Sequence, residues 1–176
     1  MLHLHIDGQP VPQPRHQIAV RGRKARAYIP SAHPIHEWRE LIRREYALIS
    51  EGWRRGVSTS DQDLPLVAMA SFHIARPASH FTKSGNLRKG IRAHPTGARD
   101  GDADNLMKPM LDVLEAEGAF VNDCQVVRLF DVSKEFVEYG QEPFARVCIL
   151  TQPELAEILG GLTPTQIAGN GVLSYV

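Results

Sequence analysis

The chain has 176 residues, two cysteines and a formal net charge of zero at pH 7, enough for one domain whose core needs no disulfide or structural metal. Its cysteines lack the close spacing of zinc or redox motifs, no apolar run approaches the ~18 residues of a membrane span, and no signal peptide is recognisable. We therefore expect a cytoplasmic protein without membrane contact. The neutral total hides an asymmetry, since residues 1–99 hold sixteen Lys and Arg against seven Asp and Glu, and residues 100–176 hold four against thirteen. The first part suits a polyanion, and the second suits a metal ion.

The N-terminal region predicts a strand, a proline-rich loop and a basic hairpin. Residues 2–7 alternate apolar and polar side chains and end in Asp-Gly, which is typical of a strand that enters a turn. Prolines at 10, 12 and 14 prevent regular strand pairing, so residues 9–14 are predicted to form an extended loop. Residues 17–20 and 26–29 flank a hairpin tip at 21–24. The basic side chains of this region are candidates for contact with DNA phosphates, the alternative being a solvated hairpin: Arg15, Arg21, Arg23, Lys24 and Arg26.

A long helix and a buried strand are predicted next. Residues 31–50 follow Ser31, a favoured N-cap residue, and carry apolar side chains near helical spacing: Ile35, Trp38, Leu41, Ile42, Ala47 and Ile49. Residues 51–65 are predicted to be a surface linker, and the apolar run 66–74 a central strand. Residues 76–99 have no periodicity, and their basicity favours a functional loop ordered by phosphates. The candidates for DNA contact in this loop are Arg76, Lys83, Arg88, Lys89 and Arg92.

The remaining pattern predicts a second helix and two more strands. The second helix runs to about residue 117, with Gly118 as its stop, and its regular part is expected to begin between residues 105 and 108 because Pro109 suits only a first turn. Residues 124–132 and 143–151 are predicted strands joined by a polar turn at 138–142. Residues 153–176 suggest a short helix followed by a Gly-rich tail. The fold class is therefore α+β, a mixed sheet with two main helices.

Closely spaced aspartates precede the second helix. Asp102 and Asp104 are predicted to face one side of an extended segment, and Asp123 to return to the same end of the sheet after the helix. Lys108 lies one helical turn beyond Asp104 and would balance these carboxylates or meet a phosphate. Mg²⁺ takes a few carboxylates and leaves its other positions to water and phosphate. The pattern therefore predicts a Mg²⁺ site, with Asp100 expected to lie outside it.

Two other interpretations of these aspartates can be weighed. An EF-hand starting at Asp100 is excluded, because its sixth and twelfth positions hold Asn105 and Leu111 instead of Gly and Glu. A structural interpretation, in which the aspartates only cap the helix, stays open because Asp at a helix N-terminus is routinely stabilising. Asp112, one turn after Lys108, is interpreted as a partner of that lysine or as a surface charge.

The aspartates belong to a longer motif. Asp-x-Asp-Asn-x-x-Lys at residues 102–108 is followed by Leu-Asp-x-Leu at 111–114, Gly118, Phe120, Asp123 and Gln-Val at 125–126. In pattern and spacing this stretch resembles the RusA-type Holliday junction resolvases of bacteria and their phages. The order of elements before the motif is similar to the same domain, so we place a RusA-like endonuclease domain at residues 1–152. Residues 153–176 are left as a C-terminal tail of unknown role.

The resemblance implies a catalytic site and a function. It implies that Asp102, Asp104 and Asp123 bind Mg²⁺, that Lys108 assists cleavage, and that the chain forms a homodimer, as two symmetric nicks in a four-way DNA junction require. The expected activity is a Mg²⁺-dependent, structure-selective endodeoxyribonuclease that resolves Holliday junctions in recombination and repair. The alternatives are a metal nuclease that acts on other branched DNA and a non-catalytic DNA-binding protein.

Overall fold

A four-stranded mixed sheet with two main helices organises the chain. The structure is a computed structural model that describes residues 1–21, 24–56, 64–97 and 100–160, without the side chains of residues 21 and 51–56. Short 3₁₀ turns at Ala78–His80 and Asp123–Gln125 accompany the regular elements. In chain order these are β1 (Leu2–Asp7), β2 (Gln17–Arg21), β3 (Lys24–Tyr28), α1 (Ile35–Gly56), β4 (Leu66–Ile74), α2 (Ala103–Ala116), β5 (Val126–Phe136), β6 (Phe144–Thr151) and α3 (Gln152–Ile158).

The strand order β1-β6-β4-β5 fixes where the ends of α2 lie. β6 pairs antiparallel with both β1 and β4, whereas β4 and β5 are parallel. Parallel neighbours need a crossover connection, and α2 provides it. Consequently α2 begins at the sheet end where β4 and β5 finish, and it ends where β5 begins. The α+β class and the mixed sheet are confirmed, while β2 and β3 form a separate two-stranded hairpin.

The helix α1 buries the predicted Ile35, Trp38 and Ile42, but at the end of the stripe Tyr46 is buried instead of Ala47 and Ile49. Ile35, Trp38, Ile42 and Tyr46 are at most 2% exposed and pack into the main core with β1, β4, β6 and α2. Their spacing of three or four residues is helical, and it leaves Ala47 and Ile49 on the exposed side. The helix begins at Ile35 because its N–H donates to the His33 ring (3.1 Å), so Ser31 is not the N-cap. It continues to Gly56, into the predicted linker, and residues 57–63 lie outside the described residues.

The helix α2 begins earlier than predicted, at Ala103, and contains Pro109. A proline inside a helix has no N–H to give to the carbonyl four residues before it. That carbonyl belongs to Asn105, and it accepts the backbone N–H of Gln13 at 2.7 Å instead. The proline-rich loop at residues 9–14 thus satisfies the carbonyl that Pro109 leaves free, which is why the helix does not need to start after the proline.

The last described segment packs on the opposite face of the sheet. The predicted short helix is present as α3, and Thr151 and Glu154 form a reciprocal capping box at its start. Leu155 of α3 is buried with Val67 and Leu150 in a second apolar cluster. The rest of the predicted tail, residues 161–176, lies outside the described residues. Among the described helices, none is long and apolar enough to cross a membrane.

Candidate active site

Two exposed carboxylates lie at the N-terminus of α2. Asp102 is the N-cap residue, with φ −84° and ψ 153°, and its carbonyl accepts the first helical hydrogen bond from Leu106 N–H at 3.0 Å. Its carboxylate makes no capping hydrogen bond. Asp104 follows in the first turn of the helix. The sequence pattern predicted that both residues lie in one extended segment, and this prediction is wrong. Neither side chain has a hydrogen-bond or ion-pair partner among the described residues, and both are open to a cation.

Several contacts hold the backbone that leads into Asp102. Gly101 has φ +73°, and a Cβ at this position would lie 2.6 Å from the Pro12 ring, so a side chain fits neither the conformation nor the space. The Lys134 ammonium, on β5, donates to the Gly101 carbonyl. Sequence reasoning missed Lys134, because only the sheet register brings β5 to this point. Asp100, whose side chain is 9% exposed, accepts Gly97 N–H and pairs with Arg92, each at 2.8 Å, so it anchors the loop before α2.

Lys108 is held by a neighbour on its own helix. Its Nζ donates to Asp112 Oδ1 at 3.1 Å, so Asp112 is the partner of that lysine. The other Asp112 oxygen accepts from Arg39 Nη2 at 3.4 Å, and the same nitrogen donates to Gln13 Oε1 at 3.0 Å. These contacts join α1, α2 and the proline-rich loop. The Lys108 side chain remains 54% exposed, on the helix that also carries Asp104.

Asp123 lies at the other end of α2. Its backbone N–H donates to Glu115 Oε2 at 3.3 Å, near the C-terminus of the helix. Gln125, which is 7% exposed, accepts Val121 N–H at 2.7 Å and so shapes the turn around Asp123. At 1.5 Å per residue, Asp104 and Glu115 are about 16 Å apart along the axis. The expectation that Asp123 returns to the carboxylates at the start of α2 is therefore not met within one chain.

A metal ion bound to a single chain would have few side-chain ligands. Among the described residues, no group of three or more His, Cys, Asp or Glu side chains stands close enough to hold one. Asp102 and Asp104 nevertheless provide two free carboxylates at the positive end of a helix. Mg²⁺ is commonly bound through one or two carboxylates together with waters and substrate phosphates. The pair fits such an ion, whereas Asp123 of the same chain does not belong to its donor set.

Comparison with known proteins assigns the family. Residues 7–149 match the profile of the family described as Endodeoxyribonuclease RusA. The chain belongs to the RusA endodeoxyribonuclease family. This membership confirms the resemblance drawn from the motif at residues 102–126. Among proteins of curated function, none matches the chain.

In this RusA-family chain the long loop after β4 is ordered by its own arginines. Arg76 donates to the carbonyls of Arg92 and Ala93, at 3.0 and 3.2 Å, and its guanidinium lies 4.3 Å from the centre of the Phe136 ring. Arg92 reaches the same ring, at 5.6 Å, in addition to its pairing with Asp100. Arg88 Nε donates to the Phe81 carbonyl at 2.9 Å. The loop is thus held by contacts within the chain, whereas the sequence analysis expected DNA phosphates to order it.

The other predicted DNA-binding residues differ from these arginines. They are exposed, and within the described part of the chain none has an ion-pair partner: Arg15, Lys24, Arg26, Lys83 and Lys89. Lys24 and Arg26 lie on β3 of the hairpin, and Lys83 and Lys89 on the long loop. The side chain of Arg21 and the whole of Arg23 lie outside the described residues. The described part of the chain therefore carries exposed, unpaired positive charge on the hairpin and on the long loop.

Proposed function

We propose that this chain is a Mg²⁺-dependent endodeoxyribonuclease that resolves four-way DNA junctions by paired, symmetric nicks. One observation carries the proposal: Asp102 occupies the N-cap position without capping the helix. A structural N-cap aspartate accepts a backbone N–H from the second or third helical residue, and Asp102 leaves its carboxylate free beside that of Asp104. Within a family of endodeoxyribonucleases, this arrangement supports a cation site more strongly than a capping role.

The chain's own residues account for the expected chemistry. Asp102 and Asp104 would hold the ion at the N-terminus of α2. Bound Mg²⁺ supplies a Lewis acid for the phosphodiester and a lowered pKa for coordinated water. Lys108 carries an exposed ammonium on the same helix, one turn beyond Asp104, where it offsets negative charge that develops on the phosphate. Asp112 holds that ammonium close to the helix until a phosphate binds.

The position of Asp123 supports a homodimer. Its backbone N–H is bound to Glu115, which lies about 16 Å along the helix axis from Asp104, so within one chain Asp123 is too distant to share an ion with Asp104. A second copy, related by a two-fold axis, would bring its own Asp123 to the Asp102 and Asp104 of the first. Each of the two sites would then contain carboxylates from both chains. Two equivalent sites also suit a substrate that must be nicked symmetrically on two strands.

A cleavage assay with matched variants tests the proposal. The wild type, Asp104→Asn and the control Glu157→Gln, which removes an exposed carboxylate from α3, are each given a labelled four-way junction and a linear duplex, with and without Mg²⁺. We expect paired nicks in the junction alone, dependent on Mg²⁺, lost in Asp104→Asn and retained in Glu157→Gln, with binding of the junction unchanged. Binding without cleavage by the wild type would instead support the non-catalytic alternative. Cleavage of flaps or forks in preference to the junction would support a nuclease of other branched DNA.

A further inference from the structure

The side chain of Lys134 contacts the backbone at the start of α2. It lies near the end of β5, opposite Phe72 of β4, and its ammonium donates to the carbonyl of Gly101. That carbonyl immediately precedes Asp102. Lys134 is partly buried, and among the described residues it has no carboxylate partner. The charged side chain of Lys134, on β5, therefore binds the backbone next to Asp102 and Asp104.

An irregularity in β5 gives Lys134 this direction. Ala68 pairs with Leu129 and Ala70 with Val132, so β5 contains one extra residue over this interval. Asp131 lies within it and has φ +51°, in the left-handed region that few residues other than glycine adopt. An extra residue in a strand moves all later side chains to the other face. Phe130 accordingly packs in the second apolar cluster, while Val132 packs in the main core on the α2 side.

The β-bulge at Asp131 thus places Lys134 on the face of the sheet that α2 covers. Side chains two residues apart on a strand share a face, so Lys134 and Phe136 follow Val132 on the α2 side. Without the extra residue, Lys134 would point toward α3 and away from Gly101. Bulges next to active sites commonly re-aim a side chain in this way. The left-handed conformation at Asp131 is the local cost of that orientation.

We propose that Lys134 is a positioning residue of the nuclease site, which fixes the Gly101 carbonyl and through it the carboxylate of Asp102. The Pro12 ring also lies close to Gly101, so both the proline-rich loop and β5 contact this residue. A hydrogen bond from a charged donor is among the stronger ones in proteins. Its role in cleavage rests on the proposed function, whereas its effect on the helix start does not.

Three variants separate positioning from charge. Lys134→Met keeps the length of the side chain and removes the donor, Lys134→Arg keeps a charged donor, and Arg128→Met removes an exposed charge from the same strand as the control. The first readout is hydrogen exchange at the Leu106 amide, which donates to the Asp102 carbonyl at 3.0 Å. We expect Lys134→Met to lower its protection about tenfold, as loss of one charge-assisted hydrogen bond implies. Arg128→Met should leave it unchanged and Lys134→Arg should largely restore it. Unchanged protection in Lys134→Met overturns the proposal, whatever the activity.

The second readout is cleavage of a four-way junction at saturating protein. Lys134→Met should cleave at least about tenfold more slowly with an unchanged Kd for the junction, because small displacements of catalytic groups are costly. It should also need more Mg²⁺ for half-maximal cleavage. If Lys134 acted only through its positive charge, its removal would strengthen binding of the cation, and less Mg²⁺ would be needed for half-maximal cleavage. A fall in the Mg²⁺ requirement would therefore contradict the positioning role of Lys134. A wild type that cleaves no junction contradicts the proposed function, and the Leu106 amide still decides the role of Lys134.

Discussion

Mixing two inactive variants tests whether the catalytic carboxylates come from both chains of a dimer. Asp104→Asn removes a carboxylate at the start of α2, and Asp123→Asn removes one beyond its end. In a composite site, the mixed dimer keeps one site with every carboxylate present and places both substitutions in the other. If each site is built from a single chain, every site of the mixed dimer carries one substitution and none is active.

The structure sets the size of the expected effect. Glu115, which accepts the Asp123 backbone N–H, lies about 16 Å along the helix axis from Asp104. Two oxygens that share one Mg²⁺ lie within about 4 Å of each other, and an aspartate side chain cannot span the difference. Random pairing makes about half of the dimers mixed, each with one intact site of two, so nicking should return to about a quarter of the wild-type rate.

Two affinity tags make the measurement sharp. The variants are co-expressed with different tags, and mixed dimers are isolated by purification on both. On a labelled four-way junction, the mixed dimer should nick at about half the wild-type rate and should produce single rather than paired nicks, as one active site per dimer requires. Each parent alone should be inactive while it still binds the junction. A mixed dimer as inactive as its parents would refute the composite site and the reasoning from the position of Asp123.

Three further outcomes follow from particular contacts. Gly101→Ala should lower the free energy of unfolding by about 2 kcal/mol, measured by urea denaturation, because the residue has a positive φ and a proline ring beside it. Lys83→Gln and Lys89→Gln should each reduce the slope of log K for junction binding against log salt by about 1, whereas Arg92→Gln should mainly lower the Tm, because Arg92 is bound within its loop. Burial lowers the pKa of His73 below its ordinary 6.5, so the unfolded chain takes up this proton at a higher pH than the folded chain does. The free energy of unfolding should therefore decline as pH falls below about 6.5. His73→Gln should reduce this decline, as measured by denaturation at several pH values.

The elements with strong local signals could be predicted from the sequence. β1, the hairpin, β4 and α2 follow from alternation or helical spacing, and the motif at residues 102–126 identified the family. Only the end of the α1 stripe was predicted wrongly, because Ala47 and Ile49 compete with Tyr46 for the apolar face. Only packing against the sheet decides that competition, and it selects the tyrosine ring.

The composition of the site depended on contacts that no local pattern contains. Asp123 was expected beside Asp104, but the parallel pairing of β4 and β5 sends the turn after α2 to the opposite end of the sheet. Lys134 escaped notice because its face is set by an extra residue at Asp131, and such a bulge changes the alternation without a composition signal. Because of Pro109 the helix was expected to start between residues 105 and 108, but it starts at Ala103, and the N–H that satisfies the freed carbonyl comes from Gln13.

Contacts within the chain determine which basic side chains carry exposed, unpaired charge. The basic and acidic parts of the sequence are interleaved in space, since β1 pairs with β6 and β4 lies between β6 and β5. The position of a basic residue in the sequence therefore does not decide whether its charge is free; its contacts with other residues of the chain do. Arg76 and Arg92 are bound within the chain because a planar guanidinium donates several directed hydrogen bonds and stacks on aromatic rings. Lys83 and Lys89 remain exposed as point charges, and contacts of this kind bind phosphates without reading sequence. A nuclease that selects a junction by its shape would need such contacts with phosphates, which do not depend on sequence. Arg76 and Arg92 hold the loop in the conformation that exposes Lys83 and Lys89.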